Sequence, residues 1–240
     1  MTEAAFPPEV EEILDDIIKE YESVFKNIQG KAKEEPEERA YGGIIRSTTG
    51  KFVEWMARQL VQATWITIDK ESGSLTFKKK KYKLPILEEY VEKIKVPEVK
   101  QHIQSNIGDY TYGIGQDVHV YEGENFLLSI ECKSYAENAM LKRIIVDAWF
   151  LGKIFPSLKF ALIQLESQLG GDYSEVKEIP FGSGPSHTIM SYFDVDLTII
   201  TLLEGARKVD EPIHKPKFYK PLKKENLRKA VRQLGGLLTR

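Results

Sequence analysis

The sequence predicts an α/β (α+β) chain in which short strands alternate with amphipathic helices, and three observations carry that reading. Residues 116–121 and 126–133 are apolar runs joined by Glu122-Gly123-Glu124-Asn125, a hairpin connection. Met140, Leu141, Ile144, Ile145, Ala148 and Trp149 then recur at helical spacing. Residues 159–165 return to a nearly continuous apolar run, as a buried strand would.

Taken in order, Val10, Ile13, Leu14, Ile17 and Ile18 form the apolar stripe of an acidic first helix that carries Glu9, Glu11, Glu12, Asp15, Asp16, Glu20 and Glu22. Ser47-Thr48-Thr49 offers N-cap hydroxyls ahead of Phe52, Val53, Met56, Leu60 and Val61, a second amphipathic helix. Residues 65–69 and 74–80 read as strands around Ser72-Gly73, and residues 85–94 and 97–107 as charge-rich helices. After the hairpin, a helix over 137–154 ends at Phe155-Pro156. Residues 180–187, Pro-Phe-Gly-Ser-Gly-Pro-Ser-His, are a loop by composition. Asp194 and Asp196 share one face at the start of a further strand. In the last helix, Leu222, Leu227, Val231 and Leu234 oppose Lys224, Arg228 and Arg232.

Composition fits one soluble domain with appended elements: 240 residues, 42% hydrophobic and 29% charged, with a net charge of -2. No run reaches the length of a membrane span, and the acidic start lacks the form of a signal peptide, so a cytoplasmic protein is expected. A single cysteine, Cys132, excludes an internal disulfide and a multi-cysteine zinc site. His102, His119, His187 and His214 show no paired ligand spacing. Gly50-Lys51 and Gly113-Ile114-Gly115 lack the other residues of a phosphate loop or a dinucleotide fingerprint.

The chemistry concentrates in the hairpin. On a strand of period two, Glu131 and Lys133 project to one side while Phe126, Leu128, Ile130 and Cys132 point into the core. Antiparallel pairing brings Asp117, near the start of the first run, toward them, and His119 shares its face. Acid-x-Lys recurs at Glu98-Val99-Lys100 and Glu175-Val176-Lys177, but in polar, unpatterned surroundings. Ending an apolar strand on a Glu and a Lys breaks a local rule, which is where function is expected. Two carboxylates suit magnesium held against a phosphate, and hence phosphodiester chemistry.

The charge layout adds a second signal. Lys215, Lys217, Lys220, Lys223, Lys224 and Arg228, interleaved with Phe218 and Tyr219, oppose the acidic first helix, as an electrostatic footprint for a phosphate backbone would. Lys78 to Lys81 form a second basic run.

On Asp117 and the triplet Glu131-Cys132-Lys133, the sequence resembles the PD-(D/E)xK nuclease superfamily, the restriction-endonuclease-like fold, with Gln116 in place of the name-giving proline. The resemblance implies a central mixed β-sheet flanked by helices, built as helix, antiparallel meander, helix and further strand. The N-terminal helical and C-terminal basic parts are additions, giving an arm over 1–46, a catalytic core over 47–205 and a basic segment over 206–240. It further implies catalytic roles for Asp117, Glu131, Lys133 and, on the helix before the meander, Glu54. Mg2+ is then expected on Asp117, Glu131 and the backbone carbonyl of Cys132. The partner implied is double-stranded DNA, contacted by the C-terminal cations and, in the 180–187 loop, by Ser183 and His187. Size favours a homodimeric type II restriction endonuclease; a repair or recombination nuclease and a non-catalytic DNA-binding protein are the alternatives.

Overall fold

The computed structural model describes residues 5–34, 38–70 and 72–239. A five-stranded mixed sheet lies at its centre, formed by β1 (Leu75–Lys78), β4 (Val118–Glu122), β5 (Asn125–Glu137), β6 (Lys159–Gln168) and β7 (Leu197–Thr201), side by side in that order. The first three run antiparallel; β6 and β7 join parallel to β5 through the helix α5 (Asn138–Ile154). Helix, antiparallel meander, helix and parallel strand is the order expected from the sequence. Between β1 and β4 the chain makes an excursion through β2 (Tyr82–Pro85), α3 (Glu88–Glu92), α4 (Pro97–Ser105) and β3 (Thr111–Ile114), with β2 and β3 paired as a separate antiparallel ribbon.

Both sheet faces are covered. Val118, Val120, Leu128, Ile130, Cys132, Ala161 and Ile163 turn to one side, under α1 (Pro8–Glu34), α2 (Glu38–Thr67) and α7 (Lys224–Leu238). Phe160, Leu162, Leu197 and Ile199 turn to the other, under α5 through Leu141, Ile144, Ile145, Ala148 and Leu151. The stripe of α1 packs as its spacing predicts, with Val10, Leu14, Ile17 and Tyr21 fully buried.

The hairpin loop is Gly123-Glu124, and Gly123 takes φ +58°, as a two-residue connection with glycine first requires. A register shift at Val120/Tyr121 turns Phe126 onto the α5 side, so it does not share the core face of Leu128 and Ile130.

Several local expectations are corrected. Ser47-Thr48-Thr49 is no N-cap: α2 already runs through it, and Thr49 Oγ1 donates back to the Ile45 carbonyl at 2.8 Å. Trp65 closes α2 and is not in a strand, because burying its ring in the α1/α2/α7 core outweighs the β-propensity of Trp-Ile-Thr-Ile. Only Leu75–Lys78 of the second run forms a strand, and it pairs with β4. Tyr82–Pro85 is the ribbon strand β2, which delays the next helix to Glu88. Asp194 and Asp196 precede β7 and lie outside it. Residues 184–187 open a helix, α6 (Gly184–Ser191), capped by Ser183 with Pro185 in the first turn.

Candidate active site

The β4–β5 ladder pairs Val118 with Ile130, so one step outward sets Asp117 opposite Glu131. Asp117 Oδ2 accepts the Cys132 backbone N–H at 3.0 Å, which pins the carboxylate on β5. Lys133 emerges from the same face two residues beyond Glu131. Its Nζ lies 2.5 Å from Glu131 Oε1, 3.1 Å from the Cys132 carbonyl oxygen and 3.7 Å from Asp117 Oδ2. Three oxygens therefore surround one ammonium, and they are the three singled out from the sequence.

Glu54 reaches the pocket from α2 through a fourth residue. Lys79, in the connection after β1, donates to Glu54 Oε1 at 3.0 Å and Oε2 at 2.9 Å, and stands 3.7 Å from Asp117 Oδ1. Arg58 Nη2, one helical turn on, is 3.8 Å from Glu54 Oε2. From α5, Arg143 Nη2 approaches Glu131 Oε1 at 3.8 Å. Lys79 and Arg143 were not assigned to the site from sequence. The signal for Lys79 was its place in the Lys78–Lys81 run, and for Arg143 its polar face on an otherwise apolar helix.

Electrostatics follow from burial. Glu131 is 7% exposed, and desolvation first, then the Asp117 charge, raise its carboxyl above the ordinary range against the pull of Lys133 and Arg143. Burial likewise pushes the Cys132 thiol up, and its side chain faces the α2 core, so its contribution to the pocket is its carbonyl. His119 is fully buried. Desolvation lowers it to about 4, so its ring is neutral at pH 7. Its Nε2 accepts the Gln116 backbone N–H at 3.2 Å and its ring stacks on Tyr82. It therefore shapes the turn ahead of Asp117 and does not face a substrate.

Oxygen chemistry in the pocket suits a hard divalent cation: two carboxylates and a main-chain carbonyl around a point already holding positive charge. Among the described residues no group of three or more His, Cys, Asp and Glu side chains could hold a metal.

The other residues singled out are placed differently. Lys224 pairs with Asp15 at 2.6 Å and Glu11 at 2.9 Å, and Arg228 forks onto Glu11. Lys220 holds the buried Glu166 at 2.7 Å, and Lys223 holds Glu204 at 2.6 Å. The charge asymmetry between the chain's two ends is thus largely neutralised inside the fold. Lys215 and Lys217 are exposed. Ser183 is buried, donating to the Leu169 carbonyl at 2.9 Å and capping α6, so it is turned away from any partner. His187 is exposed, with Nε2 2.6 Å from the Phe181 carbonyl oxygen. The close approach that Gly182 permits is to His187 and Tyr173 of this chain: at φ +78°, a Cβ there would fall 2.5 Å from both.

The fold has the order of helix, antiparallel strands, helix and parallel strand that the restriction-endonuclease-like resemblance implies. Over 203 residues the chain is 51% identical to the type II restriction enzyme DdeI of Desulfomicrobium norvegicum, a match covering 84% of this chain and 85% of that enzyme. The chain belongs to the type II restriction enzymes, and it is a hydrolase of the site-specific deoxyribonuclease kind; the repair and non-catalytic alternatives give way. No family model matches. Among solved structures, the native BbvCI A2B2 tetramer at low resolution aligns over 95% of this chain and 89% of its own with a TM-score of 0.38 and 9% identity. Among the described residues no helix is long and apolar enough to cross a membrane.

Proposed function

We propose that the Asp117–Glu131–Lys133 pocket is where this enzyme hydrolyses the phosphodiester bonds of double-stranded DNA, with magnesium as its ion. One observation carries the reading: a single cationic nitrogen sits among two carboxylates from neighbouring strands and the intervening carbonyl. Asp117, Glu131 and the Cys132 carbonyl would hold the ion. When bound, it polarises a phosphoryl oxygen and lowers the pKa of a water. Lys133, anchored beside those ligands, orients the attacking water and stabilises charge building on the phosphate. Arg143 screens Glu131, and Glu54 acts from the far side of Lys79. The resemblance implies a 5′-phosphate and a 3′-hydroxyl as products.

Magnesium demands near-octahedral geometry and keeps several waters, which matches a pocket supplying only a few protein oxygens. A homodimer would set two such pockets on the two strands of a twofold target. Each copy is a single nuclease domain, with its N-terminal helical arm and C-terminal segment packed onto the catalytic core.

Digestion of a large defined DNA with Mg2+, followed by sequencing of the ends, tests the reading. Discrete fragments with one shared end sequence are expected, and a chelator abolishes them. Asp117→Ala, Glu131→Ala and Lys133→Ala each reduce cleavage at least about a hundredfold while leaving DNA binding largely intact. Cutting at the wild-type level by any two of these variants removes the assignment.

A further inference from the structure

The excursion between β1 and β4 supplies no oxygen to the pocket, yet it begins and ends there. The chain leaves at Lys79, whose Nζ holds Glu54, and returns at Asp117, whose carboxylate takes the Cys132 N–H. Both ends of the 80–116 excursion thus meet at the pocket, where Lys79 Nζ lies 3.7 Å from Asp117 Oδ1. We propose that the β2–β3 ribbon is the element that reads DNA sequence, entering the major groove on the face that carries Lys81, Lys83 and Thr111. This rests on the pocket being the cutting site.

Shape, polarity and charge support it. The major groove of B-DNA admits a two-stranded β-ribbon, and β2 and β3 form such a ribbon, apart from the main sheet. One ribbon face is anchored: Ile114 is 2% exposed, and Tyr82 packs against Phe126 and Phe155. The other is open. There Lys83 lies opposite Gly113 and Pro85 opposite Thr111, and all four are exposed. A Cβ at Gly113 would meet nothing nearer than the Lys81 stem at 3.7 Å, so no side chain at 113 separates the ribbon backbone from a base edge.

An ammonium donates to the O6 and N7 acceptors of guanine, and a threonine hydroxyl serves either base type. Lys80 and Lys81, exposed at the root of the ribbon, meet the phosphates on either side. The C-terminal cations cannot fill this role alike, since four of them already hold carboxylates of this chain. Leu87 and Tyr90, 66% and 60% exposed just beyond β2, would contact the groove walls. Their other possible occupant is a second copy of the chain.

The test uses the full-length enzyme and the target mapped by end sequencing. For Lys83→Ala and Thr111→Ala, kcat/KM is measured on the mapped site and on each of its single-base variants, alongside melting temperature and sedimentation velocity. A base-reading residue gives a loss of about tenfold in discrimination at one base pair, with fold and assembly unchanged. Lys83→Arg restores much of that discrimination. Variants that lower every substrate alike, or leave discrimination at the wild-type level, overturn the proposal. So does a loss of self-association with discrimination intact, which would make the ribbon a contact between copies. Failure of the pocket itself shows separately, as undiminished cutting by Asp117→Ala.

Discussion

Arg228 donates from Nε and Nη2 to the two carboxylate oxygens of Glu11, at 2.9 and 2.7 Å, and so fastens the last helix of the chain to the first. Glu11 is held down to about 2, chiefly by that hydrogen bond and, against the opposing cost of burial, by Lys224. A depressed carboxyl contributes stability that is full above its unfolded value of 4.5 and is lost as pH falls toward 2. Glu11→Gln should therefore cost about 1 kcal/mol at pH 7, a melting shift of about 2–4 °C. The gap from wild type should narrow in melts below pH 4.5. A shift that is the same at every pH would assign the effect to packing.

Glu131 has the opposite sign. Its folded pKa is raised, by burial first and the Asp117 charge second, so the stability tied to its proton is full below 4.5 and lost as pH rises through the folded value. Glu131→Gln should end cleavage yet raise the melting temperature by about 2–4 °C at pH 7. A calorimetric scan at pH 4 and pH 7 checks this, with the gain expected to be larger at pH 7.

Lys79 is 57% exposed in its side chain and bridges Glu54 to Asp117, so its importance should be kinetic more than structural. Lys79→Met should slow single-turnover cleavage about tenfold while moving stability by less than about 0.5 kcal/mol. Lys79→Arg should recover most of the rate. Equal behaviour of the two variants would remove Lys79 from the pocket's working parts.

Ser183 separates a structural from a recognition role in the 180–187 segment. As a buried N-cap, its replacement by alanine should destabilise the protein by about 1 kcal/mol or somewhat more, because the hydroxyl also satisfies the Leu169 carbonyl. DNA affinity, measured by fluorescence anisotropy at fixed salt, should stay within about twofold of wild type. A tenfold loss of affinity at unchanged melting temperature would contradict that assignment.

The legible and illegible parts of this protein differ by the range of the forces that set them. Period-two alternation placed Glu131 and Lys133 on one face, whereas Asp117 falls opposite Glu131, and not Ile130, only because the bulge at Val120/Tyr121 skips Leu127. Period 3.6 likewise revealed α5, and an unbroken apolar run revealed β6. The alternation, the helical period and the apolar run follow from chain geometry over a few residues; the bulge does not. For His119 the sequence favours a partly buried ring hydrogen-bonded to a neighbour; its full burial depends on Tyr82 and Phe126 packing on the ring.

By itself the sequence determined the class of fold, the hairpin, and the acid and lysine that share a face of its second strand, because those rest on local alternation and turn chemistry; the strand itself runs on to Glu137. Only tertiary structure decided that Trp65 ends a helix, that Tyr82 and Ile114 pair into a ribbon, and that Lys79 ties Glu54 to the pocket. It also decided that the basic tail closes on the acidic head, since a charge run has the same composition whether it faces solvent, nucleic acid or its own chain. Which of these it meets is settled by the partner that packing brings within a few ångströms, as Glu11 is brought to Arg228.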